Sequence, residues 1–408
     1  MGNQTTKTGV GMIGLGKRGI GLLETLLGMD DIAVPAVCEP NETRLREALN
    51  LVEASGRPRP AGFVDYRDLL KHGGVQGVII STSWSSHIEI AIAAMKAGIY
   101  AAPEVGGAFS LEECWELVRT YESTGVPCML LENCCYGRDE LAVANMVKQG
   151  LFGEIVHVQC GYGHDLRHLL GTRERHLRTE RYMVSNCDNY PTHGLGPMAK
   201  LLGINRGNRF VTLTSMASKA RGLHEWIVNH LGADHPMANV VFNQGDIVTT
   251  MIKCARGETI VVTLDTTLPR PYSRAGRVQG TRGLWMEDGN AIYLEGKSPP
   301  HAWESFDAYR QKYEHPLWRE FLQMGVRGGH GGMDYLVLRA FVESVASGGP
   351  TPIDVYDTAA WMAVTVLSEQ SIAMGSAPVP FPDFTNGKWI EGIGGAAGKY
   401  NLDHESER

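Results

Sequence analysis

With 408 residues the chain is longer than one ordinary hydrophobic core organises, so its length predicts more than one domain. Apolar residues at 43% and charged residues at 20% are a globular balance, and the net charge of −7 excludes the basic face that a nucleic-acid or anionic-membrane partner asks for. No stretch approaches the ~20 apolar residues of a membrane span, and the N-terminus lacks the basic start and apolar run of a secretory signal, so a cytoplasmic protein is expected. Gly2 to Thr6 fit the short myristoylation pattern, without the polybasic segment that would make an anchor of it. The eight cysteines (Cys38, Cys114, Cys128, Cys134, Cys135, Cys160, Cys187 and Cys254) show no Cys-x-x-Cys and no even framework, which predicts reduced, mostly buried thiols.

Taken in order, the first third alternates short apolar runs with helical periodicity, the pattern of a parallel sheet wrapped by helices. Residues 10–13 read as a strand, 20–27 as a helix, 33–38 as a strand and 42–55 as a helix. Strands are expected at 77–81 and 100–102, helices at 87–97 and 111–124, and a further buried strand at 128–131. These elements make a doubly wound Rossmann domain over residues 1–135. After Glu132 the texture changes. An amphipathic helix at 139–149 precedes longer strands at 155–162, 210–217, 246–253 and 259–266, an open and largely antiparallel sheet in an α+β domain over 136–408. Segments 166–188 and 299–327 read as irregular covering loops, and 356–373 as a long closing helix. An exposed face of the second sheet offers a surface for a homo-oligomer.

Gly14-Leu15-Gly16-Lys17-Arg18-Gly19 follows the first strand and opens the first helix, the context a Gly-x-Gly-x-x-Gly pattern needs. Its glycines permit a tight turn, close approach of backbone N–H groups to a pyrophosphate, and close helix-to-strand packing. Glu39, at the end of the second strand, is placed to accept from ribose hydroxyls and to repel a 2′-phosphate, so the expected cofactor is NAD. Ser81-Thr82-Ser83-Trp84-Ser85-Ser86-His87 lies at the carboxyl edge of the next strand, where Trp84 and His87 can line the cofactor. For His87, a role in capping the helix start is the other reading.

At this point the chain resembles the Gfo/Idh/MocA oxidoreductase superfamily, in its Rossmann domain, its Ser/Thr-rich turn ending in His87 and its C-terminal sheet domain. Dehydrogenases of that superfamily carry Glu-Lys-Pro where this chain has Pro103-Glu104-Val105-Gly106, so their lysine is missing although Glu104 remains at the cofactor position. They also place an aspartate four residues before a catalytic histidine, where this chain has Asn189 ahead of His193. A closer match is carried by Glu132-Asn133-Cys134-Cys135-Tyr136-Gly137, Gly161-Tyr162-Gly163-His164-Asp165-Leu166-Arg167, Asn189-Tyr190-Pro191-Thr192-His193-Gly194-Leu195-Gly196-Pro197, Arg270-Pro271-Tyr272-Ser273-Arg274 and Gly329-His330-Gly331-Gly332-Met333-Asp334. In these the chain is similar to glycoside hydrolase family 109, which implies NAD⁺-dependent hydrolysis of glycosides, with α-linked N-acetylgalactosaminides as the known substrate class. The resemblance also marks Glu132, Tyr162, Arg178, Tyr190, His193 and Tyr272 as active-site positions.

The chemistry such a site runs differs from ordinary glycoside hydrolysis, which needs two carboxylates flanking the bond and no nicotinamide. Oxidation at sugar carbon 3 acidifies the proton on carbon 2, a mild base removes it, and the aglycone leaves carbon 1 by elimination. Water then adds and carbon 3 is reduced again, with no net redox. The roles expected are His193 for the 3-hydroxyl proton, Tyr162 for the carbon-2 proton with Arg178 beside it, Glu132 for sugar hydroxyls, and Tyr190 and Tyr272 for orientation or for the leaving oxygen. Arg178 also reads as part of a solvated basic loop with Arg173, Arg175 and Arg181. His164-Asp165 lacks a third ligand at sensible spacing, so no metal is expected. His330, among glycines, reads as a mobile loop or a turn. Two other functions fit the same elements: an NAD-dependent sugar or inositol dehydrogenase, and a non-catalytic NAD-binding sensor.

Overall fold

The computed structural model describes residues 7–172, 177–396 and 398–402. Gly2 to Thr6, Arg173 and Arg175 lie outside the described residues. The chain divides into two compact units: the first takes the chain up to Gly137 with Pro316–Ala359 and the tail from Gly394, and the second takes Arg138–His315 and Ala360–Ile393.

The first unit is a parallel sheet of β1 (Thr8–Ile13), β2 (Ile32–Ala33), β3 (Ala36–Cys38), β4 (Ala61–Phe63), β5 (Gly77–Ile80) and β6 (Tyr100–Pro103), ordered β4-β3-β1-β5-β6 with β2 beside β1. The strand expected at 33–38 is broken in two. Pro35 has no N–H to give a ladder, so β2 pairs with the Thr8 end of β1 and β3 with its Ile13 end. The strand expected at 128–131 is buried and extended but keeps a single ladder bridge, Ala101 with Cys128. Met129 N–H and Leu131 N–H bond to the Ala101 and Pro103 carbonyls (2.8 and 2.9 Å), yet Pro103 has no N–H to return, and the ladder stops there. Helix Leu111–Thr124 starts in a capping box between Ser110 and Glu113 and ends at Gly125, whose φ of 69° is the left-handed stop that glycine allows.

The second unit is built on β7 (Ile155–Gly163), β8 (Phe210–Ala217), β9 (Ile247–Cys254), β10 (Thr259–Asp265), β11 (Arg277–Gly280), β12 (Gly283–Met286), β13 (Ala291–Leu294), β14 (Glu304–Ser305) and β15 (Val379–Pro380). They form one nine-stranded sheet in the order β14-β13-β12-β11-β7-β10-β9-β8-β15, antiparallel except where β7 lies parallel to β10. The long helix stands at Val355–Ala373 as expected. The segments expected to be irregular hold helices Arg167–Thr172, Leu177–Val184, Asp307–Lys312 and Pro316–Met324. A helix at Thr192–Leu201 also forms, despite Gly194, Gly196 and Pro197. All eight cysteines are buried and none forms a disulfide. Among the described residues no helix is long and apolar enough to cross a membrane.

Candidate active site

In the first unit the glycine turn has the shape a pyrophosphate needs. Gly14 has φ 89°, and a Cβ there would lie 2.7 Å from the Ser81 backbone. A Cβ on Gly19 would meet the Gly14 carbonyl oxygen at 2.1 Å, so the first helix turn can touch the strand end only because both are glycine. Gly16 differs: nothing lies within 4 Å of its Cβ position, and it starts helix Lys17–Leu27 with no side-chain cap. An open helix N-terminus with no side chain filling it is a cradle for an anion. The residues present therefore fit a dinucleotide. Leu15 is buried and offers its backbone, its N–H donating to Glu39 Oε2 at 2.8 Å, while Lys17 is exposed. Glu39 Oε1 accepts from Asn41 N–H at 3.1 Å, so the carboxylate is fixed at both oxygens.

Two residues expected at the cofactor, Arg18 and Glu104, are joined to each other. The Arg18 guanidinium donates to Glu104 Oε1 from Nε (3.0 Å) and Nη2 (2.8 Å), and to both oxygens of Asp334 (2.6 and 3.0 Å). Burial opposes its charge, but Glu104 and Asp334 hold the guanidinium above its usual range. Asp334 also accepts from Asn133 Nδ2 at 2.7 Å and meets His330 Nδ1 at 2.9 Å. Against the burial that would raise it, His330 and Arg18 keep the Asp334 carboxyl far below the ordinary carboxylate range. The Arg18 and Glu104 side chains thus brace the turn. His330 sits at φ 51° in a short 3₁₀ turn and is tied to the start of helix Met333–Ser347, which settles the turn reading over the free loop for this residue. Trp84 lies over Gly106, where a Cβ would press into the indole at 2.8 Å. His87 is only 1% exposed and bonds the Thr82 carbonyl at 3.1 Å through Nε2. Burial pushes its pKa down to about 4, so it is a neutral core histidine holding the Ser/Thr turn from inside. Glu132, fully buried, accepts from Cys134 N–H at 3.1 Å and caps the Asn133–Tyr136 turn of the same unit.

The second unit gathers the remaining expected residues. Tyr162 and Tyr190 rings stand 4.4 Å apart, His193 lies 5.5 Å from Tyr162 and 4.8 Å from Tyr190, and Tyr272 lies 6.2 Å from Tyr162. Arg178 lies over the Tyr190 ring at 4.7 Å and hydrogen-bonds the Tyr162 hydroxyl, so it belongs to the cluster rather than to a solvated loop. Burial works against its charge, and the three tyrosines Tyr190, Tyr162 and Tyr182 more than offset that.

Local sequence explains the convergence. Tyr162 is near the end of β7. Helix Thr192–Leu201 rests directly on that strand, because a Cβ on Gly194 would lie 2.4 Å from Gly161 N. His193 is the residue before that contact. Gly163 and Ser273 exchange two backbone bonds of 2.9 Å, which fixes Tyr272 beside them. Asn189, standing where dehydrogenases keep an aspartate, donates to Gln244 Oε1 at 3.1 Å and anchors the loop that carries Tyr190. Asp188 beside it is buried, and burial raises its carboxyl to about 7. His164 carries no expected catalytic role in the sequence. Its Nδ1 lies 2.9 Å from Tyr162 Oη, a neighbourhood foreseeable from their spacing of two along a strand. Asp165 is forked onto Arg167 at 2.9 and 2.7 Å.

The family model described as "Glycosyl hydrolase 109, C-terminal domain" matches residues 136–391, and that for the oxidoreductase family NAD-binding Rossmann fold matches residues 8–131. This chain belongs to glycosyl hydrolase family 109. A family 109 protein of Stenotrophomonas maltophilia is 46% identical over 409 residues, covering 94% of this chain and 90% of that protein. An α-N-acetylgalactosaminidase of Tannerella forsythia is 45% identical over 405 residues, covering 93% and 86%. Among solved structures, a levoglucosan dehydrogenase in complex with NADH and levoglucosan superposes with a TM-score of 0.70 at 20% identity, over 93% of this family member and all of that chain. An Agrobacterium radiobacter oxidoreductase in complex with NAD⁺ gives 0.67 at 18% identity, over 92% and 99%. At such identities the two structures speak for the fold alone. The cofactor of this family 109 glycosidase is NAD, held by its Rossmann unit.

Proposed function

We propose that the protein hydrolyses α-linked N-acetylgalactosaminides by a redox-neutral sequence of oxidation, elimination, water addition and reduction. The observation that supports this best is the Tyr162, Tyr190, His193 and Arg178 cluster. It is aromatic and cationic, whereas direct displacement at carbon 1 calls for two carboxylates across the bond. The carboxylates next to it along the strands, Asp165 and Asp265, are each held by an arginine, Arg167 and Arg270. Bound NAD⁺ supplies a reversible hydride acceptor for a sugar carbinol carbon. His193, packed against Tyr162 and Tyr190, takes the 3-hydroxyl proton. Tyr162 removes the carbon-2 proton, and Arg178 places positive charge where phenolate charge develops. Tyr190 and Tyr272 orient the ring or assist the leaving oxygen, and Glu132 holds sugar hydroxyls. The α-N-acetylgalactosaminide assignment rests on the Tannerella forsythia relative.

Release of nitrophenol from a panel of α- and β-nitrophenyl sugars, with and without added NAD⁺, tests the reading. The α-N-acetylgalactosaminide should be cleaved in D₂O without net NADH, and the product should carry deuterium at carbon 2. Stoichiometric NADH with a free polyol would make the protein a dehydrogenase instead. Binding of NAD with no turnover would make it a sensor. We also assign a homo-oligomer formed in the cytoplasm. Met216 and Met251, 64% and 55% exposed, share one face of β8 and β9, which supports the assembly, and sedimentation measures it.

A further inference from the structure

His164 is the one member of the aromatic cluster without a role. Two residues beyond Tyr162, it lies on the same side of an extended chain. Its backbone N–H is pinned to the Asp265 carbonyl at 2.9 Å, and the Tyr272 ring meets its ring edge-on at 5.2 Å, so the imidazole has a set place. The Tyr162 hydroxyl lies 2.9 Å from His164 Nδ1 and is also a partner of the Arg178 guanidinium. A guanidinium donates and never accepts. Arg178 can only donate to the hydroxyl oxygen, so in the tautomer with Nδ1 unprotonated the hydroxyl's own proton is directed at Nδ1.

We infer that His164 is a positioning residue that receives the phenolic proton of Tyr162 as Tyr162 takes the proton from sugar carbon 2. The inference rests on the base role given to Tyr162 above. In this step the carbon–hydrogen bond breaks, its electron pair stays on the sugar as an enolate, its proton goes to Oη, and the former phenolic proton goes to Nδ1. Charge balances as one enolate and one imidazolium, and reprotonation runs the same path backwards. A bare tyrosine would have to hold phenolate charge before it could act; a tyrosine backed by imidazole does not.

The imidazole begins neutral, as the relay requires. Burial first, then Arg178 from helix Leu177–Val184, His168 from helix Arg167–Thr172 and His193 from helix Thr192–Leu201 push its pKa below the usual value; Asp165 at the strand end pulls the other way. Tyr272 adds an uncharged ring.

His164→Asn keeps an amide near Nδ1 but cannot take up a proton. It should lower kcat by about 10²-fold with KM little changed, and slow deuterium entry at carbon 2 by the same factor. The acid limb that His164 gives the pH–rate profile should vanish. In His164→Ala, added imidazole should restore part of the rate, which a structural role alone would not allow. A folded His164→Asn exchanging deuterium at the wild-type rate, or a folded His164→Ala unmoved by imidazole, overturns the relay and leaves Tyr162 as the base. If the unmodified enzyme hydrolyses substrate but brings no deuterium into carbon 2, the base role of Tyr162 falls and the relay falls with it. Should His164→Asn not fold, His164→Gln is read by the same two measurements.

Discussion

Tyr162 and His193 carry different protons in the proposed cycle, and substitutions separate them. Tyr162→Phe keeps the ring contacts with Tyr190 and His193 and loses only the hydroxyl, so glycoside should still bind while deuterium exchange at carbon 2 stops. His193→Ala should stop the earlier step, so that no transient NADH absorbance forms on mixing with substrate. Each loss should be on the order of 10²- to 10⁴-fold in kcat, the span of general acid–base contributions. Two buried titrating groups give opposite pH signatures. His87 has its folded pKa near 4 against 6.5 in the unfolded chain, so the unfolded state binds more protons between those values and stability falls as pH drops through that window. The effect is on the order of 3 kcal/mol. His87→Asn should flatten the slope of melting temperature against pH from 6.5 down to about 4. Asp188, whose carboxyl is raised from 3.8 to about 7, works in reverse: its stability is present below the lower value and is lost as pH rises through the upper one. Asp188→Asn should remove that loss between pH 3.8 and about 7.

At the level of elements, the close seat of helix Thr192–Leu201 on β7 predicts that Gly194→Val cannot be absorbed locally, because the clash is with Gly161 backbone. Overpacking there should cost about 1–3 kcal/mol, and by moving His193 should lower kcat more than it lowers the melting temperature. This helix also shows where sequence reading stops. The alternation of buried strands with amphipathic helices made the Rossmann unit legible almost element by element, and the period of two exposed β7, β8, β9 and β10. Gly194, Gly196 and Pro197 read as helix breakers, and what overrides them is packing onto a strand that is itself glycine at 161. Likewise 33–38 and 128–131 were visible as buried and extended, but whether Pro35 and Pro103 would interrupt a ladder depended on which neighbour needed their missing donors. Among site residues the local motif around Gly14 was readable. The pairing of Arg18 with Asp334, more than three hundred positions away in sequence, had no local signal. Nor did the burial of His87.

Across the whole molecule, the Arg18, Glu104, Asp334 and His330 group ties the nucleotide turn to helix Met333–Ser347 within the first unit. Asp334 and His330 act in different windows. Asp334, depressed, stabilises above the ordinary carboxylate pKa and loses that contribution only in strong acid. His330, raised chiefly by its hydrogen bond to Asp334, stabilises below 6.5 and loses its contribution as pH climbs through the raised value. Asp334→Asn leaves Arg18 with half its counter-charge and should cost about 3 kcal/mol. An NMR titration of that variant should also bring the His330 pKa down towards 6.5. Cofactor removal should be felt globally as well. At a hundredfold excess over Kd, NAD contributes about 2.7 kcal/mol, so charcoal-stripped protein should melt several degrees lower and recover when NAD is restored.

The carboxylate of Glu39 does two jobs through its two oxygens, one of which fastens Leu15 inside the glycine loop. Any attempt to retune this enzyme towards the phosphorylated dinucleotide by exchanging that side chain alone would slacken the very loop meant to grip the new ligand. With the ribose role expected of Glu39, cofactor preference is coupled to loop rigidity, and a swap should need a second mutation that gives the Leu15 amide another acceptor.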